Sequence, residues 1–185
     1  MRVVPSERFK VLIARLDPNK RCHSTESLVV SLVKAASLEG AYDFKPYKST
    51  WRKFKEHSPF WYSLGSEWLE FDYYDWHTGK MPRFVYEVKI DLSKIKVLQT
   101  PLDARQFTRR FGLEERVLGG HVLRWGDISK YWSGLEISSK VARRLHLDSH
   151  CSWINAWDVG SGVIWDVSAV TSLDLVIDLE KEGNI

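Results

Sequence analysis

Cysteine is nearly absent from this chain. Cys22 and Cys151 are the only two among 185 residues, too few and too far apart for a disulfide framework, and no CxxC pair is present to hold zinc. A reducing, cytoplasmic setting is the expectation. No apolar run approaches the roughly eighteen uncharged residues of a membrane-spanning helix, so no membrane role is expected. The opening residues, MRVVPSERFK, lack the apolar centre of a secretory signal, and an effector exported by a signal-independent route is kept as an alternative. The sequence contains no GxGxxG, GxxxxGK[ST], HExxH or GxSxG. Of the six histidines, only His146 and His150 share helical i, i+4 spacing, with no acid placed to complete a metal site, so no metal is expected. No repeat and no Pro/Gly/Ser-rich linker divides the chain, which argues for one domain over residues 1–185.

What is present is ordinary in bulk and unusual in detail. Hydrophobic residues make up 44% and charged residues 28%, a globular balance that excludes disorder. The net charge of +3 permits an anionic ligand without demanding nucleic acid. Nine tryptophans exceed common usage; such rings fill cores, line clefts or stack on bases.

Local patterns predict a strand over Phe9 to Leu16, stopped by Asp17-Pro18, then a helix capped by Ser24 or Thr25 and ended by Gly40. Residues Ala41 to Pro59 read as basic, aromatic loop. FWYSL reads as a short strand, GSEWLEF as a turn entering a helix, and YYDWHTGKMP as loop. RFVYEVKI alternates with a period of two and is the clearest strand; KIKVLQ is the next. Thr100 as cap, Pro101 at the first helical position and Gly112 as stop frame a helix. LRWGDISKYW reads as a short helix, GLEIS as a strand and SSKVARRLHL as a helix. SWINAW, GVIWDV and SLDLVIDL read as strands, with a turn from Asp158 to Gly162. The sum is an α+β domain with antiparallel or mixed sheets.

Three stretches carry residues suited to chemistry: KVLIARLDP with Arg15 and, shortly beyond it, His23; FWYSLGSE with Trp61, Tyr62 and Ser63; and YWSGLEISS with Glu136. Their order resembles the ADP-ribosyltransferase fold family, whose signature is Arg or His, then Ser or Tyr, then Glu on three core strands. RFVYEVKIDLSKIKVLQTPLDARQF is similar to that family's central strand pair and following helix, and WGDISKYWSGLEI to its helix–turn–strand. The resemblance covers about Phe9 to Ile137. It implies two small antiparallel or mixed sheets flanked by short helices, with NAD held in the cleft between them. It further implies a mono-ADP-ribosyltransferase, a toxin or effector acting on a macromolecular target, with NAD as the consumed cofactor. Glu136 would be catalytic, stabilising the positive charge that develops on the ribose. Arg15 or His23 would meet the cofactor phosphates, Trp61 or Tyr62 would stack on nicotinamide, and Ser63 would bond the cofactor or fix Glu136. The sequence departs from the pattern at Gly134, where arginine-modifying members carry Glu or Gln, and at Gly65 in the serine motif.

Each residue also has a plainer reading. Glu136 alternates with Leu135 and Ile137, as a solvated strand residue would. Trp61 and Tyr62 suit a core, Ser63 a turn, Arg15 a snorkelling edge and His23 a helix cap. Gly160 and Gly162 read as a turn between strands rather than a phosphate loop, because no helix follows them. A competing class is a non-catalytic nucleic-acid- or protein-binding module, or a degenerate transferase, gripping its partner through segment 47–57. There Lys48, Arg52, Lys53 and Lys55 interleave with Tyr47, Trp51 and Phe54.

Overall fold

The computed structural model describes residues 7–25, 60–74, 83–114, 120–178 and 181. The basic segment 47–57 and the expected helix up to Gly40 lie outside them. Its first element corrects the sequence reading. Phe9, Leu12, Ile13 and Leu16 fall at i, i+3, i+4 and i+7, a helical stripe, and the stretch expected as a strand is helix α1 (Glu7–Ala14). The β-branched Val11 and Ile13 mimic a strand. Val11 is instead half exposed, while Phe9 and Leu12 are buried.

The second correction concerns His23. It belongs to strand β1 (Arg21–Thr25), not to a helix cap. There follow β2 (Phe60–Leu64), α2 (Glu67–Tyr74), β3 (Phe84–Ile90), β4 (Ile95–Leu98) and α3 (Pro101–Phe111). Strands β5 (Gly112–Glu114) and β6 (His121–Leu123) form a two-stranded ribbon that the sequence reading did not anticipate. Then come α4 (Trp125–Ile128), β7 (Gly134–Ile137), α5 (Ser139–Leu145), β8 (Ser161–Ile164) and β9 (Val170–Asp178). The SWINAW stretch, expected as a strand, is a kinked 3-10 helix over Ser149–Ala156, started by the Asp148 carboxylate accepting from the His150 N–H at 2.9 Å. Trp153 and Ile154 of that helix and Trp157 just after it enter the core.

The result is α+β, but not two small sheets of comparable size. Seven strands form one mixed sheet in the order β4-β7-β8-β2-β1-β3-β9, with β5 and β6 apart. Only the β4–β7 pair is parallel; the other pairs are antiparallel. No helix among the described residues is long and apolar enough to cross a membrane.

Register assigns every strand side chain to a face. Leu98, Ile137, Ser161, Ser63, Cys22 and Glu87 stand opposite one another across β4, β7, β8, β2, β1 and β3, so they share one face. Helices cover that face. At the β1–β3 end, Phe9, Leu12 and Leu69 pack on Cys22, Val85 and Ile177. At the β4–β7 end, α3, α5 and the 3-10 helix pack on Leu98, Leu135, Ile137 and Val163. The other face carries a smaller apolar cluster of Tyr62, Val88, Ile95, Ile164, Ala169 and Val170.

Local chemistry fixes the helical layer. Thr100 and Asp103 form a reciprocal capping box at the start of α3, and Ser138 accepts from the Val141 N–H to begin α5. Glu67 of α2 reaches across to α5, accepting from the Ser139 hydroxyl and from the Gly160 N–H. Inside the layer, Trp153 Nε1 donates to Thr108 Oγ1 at 2.8 Å, and Thr108 donates to the Ala104 carbonyl at 2.9 Å. A Thr108→Val variant keeps the shape and orphans the indole N–H. It is expected to lose about 1–3 kcal/mol, read as a lower urea midpoint at an unchanged m-value.

Candidate functional site

Glu136 is the only buried carboxylate among the described residues, 4% exposed. A lone carboxylate there would be costly. Arg21 of β1 compensates it with a two-pronged ion pair. Its Nε donates to Oε2 at 2.6 Å and its Nη2 to Oε1 at 3.0 Å. The Tyr62 hydroxyl donates to the same Oε2 at 2.8 Å. Three strands thus converge on one carboxylate.

Register explains how they meet. Val97, Glu136, Gly162 and Tyr62 stand opposite one another across β4, β7, β8 and β2, on the face that the helices leave. Arg21 lies opposite Leu64, two residues along from Tyr62 and therefore on the same face. Tyr62 and Glu136 are two strands apart, roughly 10 Å. The phenol bridges that gap by lying over β8 at the one position without a side chain. A Cβ on Gly162 would stand 2.1 Å from Cζ and 2.2 Å from the hydroxyl oxygen of Tyr62. Gly162 is therefore neither turn nor phosphate loop; it is the opening that lets Tyr62 reach Glu136. Gly134, two residues before the acid, is equally constrained, since a Cβ there would meet Ile95 and the Val163 carbonyl at 2.7 Å.

His23 shares the face. Its Nδ1 lies 2.7 Å from the Trp61 carbonyl oxygen, which can only accept, so the proton sits on Nδ1 and Nε2 keeps its lone pair. The ring leans on Phe60 at 4.6 Å between centroids. Burial pushes the imidazole below the ordinary histidine range, opposed by the bond to Trp61, so it is neutral at pH 7. Burial beside the Glu136 carboxylate pushes the Tyr62 phenol far above the usual tyrosine range, so it stays a donor. Desolvation lowers the Arg21 guanidinium and the Glu136 bond raises it, with a net upward result. Burial also pushes the Cys22 thiol up to about 11, which excludes it as a nucleophile at neutral pH.

Of the residues singled out in the sequence, Glu136, Tyr62 and His23 come to this face. Trp61 and Ser63 alternate with Tyr62 and point the other way. Trp61 packs 5.1 Å from Trp157 beneath the helical layer. Ser63 does not fix Glu136; its hydroxyl donates to the Gly65 carbonyl at 3.0 Å. Arg15 sits on no strand but on the exposed turn after α1, a helix packed on the opposite face. The arginine that meets Glu136 is Arg21, which was not singled out in the sequence. The available signal was the Arg-x-His spacing of Arg21 and His23, which puts two polar groups on one face of a strand.

Comparisons of the chain with protein-family models, with curated proteins and with solved structures each found no match.

Two predictions follow from this geometry. In a Gly162→Ala variant the added methyl drives the Tyr62 ring off Glu136. It is expected to cost about 1–3 kcal/mol through overpacking and to lower the thermal midpoint by several degrees; a midpoint unchanged from the parent refutes the bridging role. For His23, the folded state favours the neutral ring. Its contribution is present above the ordinary value of 6.5 and is lost as pH falls below it, because the unfolded chain binds the proton more readily. The parent is expected to lose urea stability between about pH 7.5 and 5.5, and His23→Gln to lose less over the same interval.

Proposed function

We propose that the chain is an ADP-ribosyltransferase that takes NAD as its substrate and modifies a macromolecular target. The carrying observation is the meeting of Arg21, Tyr62 and Glu136 from β1, β2 and β7. These are a basic residue, a tyrosine and a glutamate on three strands, in the chain order of the Arg/His–Ser/Tyr–Glu signature. His23 stands on the same strand and face as Arg21.

The chemistry suits these groups. Cleavage breaks the bond between ribose C1′ and the nicotinamide nitrogen, and the electron pair leaves with nicotinamide. The sugar carries the positive charge until an oxygen, nitrogen or sulfur of the target bonds to C1′ and releases its proton. Arg21 and Tyr62 fix the Glu136 carboxylate in place, and a carboxylate preorganised in a dry site stabilises such a transition state. Two of the five guanidinium N–H groups of Arg21 serve Glu136; the half-buried side chain keeps others for a pyrophosphate oxygen. The Nε2 of His23 is an acceptor suited to a sugar hydroxyl. Trp61 and Ser63 act from behind the strand, through packing and turn geometry.

The competing reading is structural: an ion pair that merely knits β1 to β7, in a binding module or a degenerate transferase. Incubation with NAD labelled in its adenylate moiety and with cell lysate separates the two, scored by labelled target and released nicotinamide. The parent is expected to transfer label, and Glu136→Gln to do so at least about a hundred-fold more slowly while still melting cooperatively. A parent that neither transfers label nor releases nicotinamide, or a Glu136→Gln variant as fast as the parent, defeats the reading.

A further inference from the structure

We propose that the outer surface of α3 and α5, on the side of the sheet away from Glu136, is a docking site for single-stranded nucleic acid. β4 and β7 are parallel neighbours, and each runs directly into its helix, so α3 and α5 set out in the same direction. Ser138 ties their starts together, with its N–H on the Leu98 carbonyl at 3.1 Å and its hydroxyl on the Gln99 carbonyl at 3.0 Å. Both helices bury small and apolar residues inward, Ala104, Phe107 and Phe111 on one and Val141, Ala142 and Leu145 on the other. Outward they present Arg105, Arg109, Arg110, Lys140, Arg143 and Arg144, all exposed.

Few acids answer these cations. Asp148 takes Arg105 at 2.9 Å, and Asp103 is engaged in the capping box of α3. Among the described residues no carboxylate pairs with Arg109, Lys140, Arg143 or Arg144. The chain as a whole has an excess of only +3, so six cations on one helical surface are a marked segregation. Cations in a last helical turn also complement the helix dipole, but that effect does not call for two neighbouring helices to present them on a shared surface.

An aromatic group selects among polyanions. The Arg110 guanidinium lies 4.8 Å from the Phe111 ring centroid and 4.9 Å from that of Tyr131, and Tyr131 is 59% exposed. A ring held at the edge of an arginine patch, with much of its surface in water, is a platform on which a base can stack while the backbone follows the charges. An anionic membrane also receives tyrosines at its interface, so vesicles are the competitor in the test. The surface lies across the sheet from Glu136, so the inference does not depend on the transferase reading.

Fluorescence anisotropy of a labelled twenty-nucleotide oligothymidylate or oligouridylate, followed against potassium chloride, tests it. The parent is expected to bind with an affinity that falls steeply as salt rises. An Arg109→Ala/Arg143→Ala/Arg144→Ala variant is expected to bind more than about tenfold more weakly, with the log–log salt slope reduced by about 2, at about 0.7 per lost phosphate contact. Tyr131→Ala should weaken binding about five-fold or more and leave the slope unchanged. The inference is overturned if the parent does not bind either oligonucleotide, if the triple variant binds as the parent does, or if phosphatidylserine vesicles are bound more tightly than oligonucleotides with Tyr131→Ala indifferent to both.

Discussion

The structure turns on a pair of opposite charges withdrawn from water in the middle of a sheet. Arg21 and Glu136 lie on strands with β2 and β8 between them, so neither can pair by local accident. Their attraction has to offset the desolvation of both. It does so through two short charge-assisted hydrogen bonds, with the Tyr62 hydroxyl filling a further carboxylate lone pair. This places strict demands on the sequence. The three residues must share a face, so β1, β2 and β7 must hold register through β8. One position of β8 must be bare, which is Gly162. The strand carrying the acid must pack tightly, which is why Gly134 precedes it. Few isolated ion pairs impose so many conditions.

Those conditions bear on why the pair is there. Replacing a buried ion pair with well-packed apolar residues is often neutral or stabilising. The cluster around it is already apolar, with Ile164, Ile95 and Val88 as neighbours on the face. Stability alone therefore gives little reason to keep Arg21 and Glu136. The proposed role, a carboxylate beside a bound cationic transition state, would give a direct one.

Elements were legible in the sequence where their own side chains carried the pattern. RFVYEVKI alternates because Phe84, Tyr86 and Val88 are buried on one face while Lys89 reaches solvent on the other, and Thr100-Pro101 with Gly112 frames α3 within a residue of its observed ends. Legibility failed where burial comes from elsewhere. β1 reads RCHST, with almost no apolar character, and is a strand because β2 and β3 pair with it on both sides. α1 and the 3-10 helix at Ser149–Ala156 were misread because Val, Ile and Trp favour strands while their spacing favours a helix. The merging of the strands into one sheet depends on long-range pairing that local pattern does not encode. The acid of the site was visible as the lone carboxylate in GLEIS. Its arginine was not, because the segment looked like a turn. Tyr62 was visible, but only register shows that it touches the acid while Trp61 and Ser63 cannot.

Strand β7 makes the division of the molecule concrete. In four residues, Glu136 faces the polar cluster while Leu135 and Ile137, both fully buried, seat the helical layer beneath. Alternation thus couples two surfaces through one short rigid element. Any shift of β7 by a single residue would turn the carboxylate into the apolar layer and expose Leu135 or Ile137 in its place. The packing of α3 and α5 against those two residues is therefore what holds Glu136 in position. The arginines on the outside of those helices can engage a large polyanion without passing in front of the carboxylate. The two proposed surfaces thus lie on opposite faces of one sheet, joined through the alternation of β7.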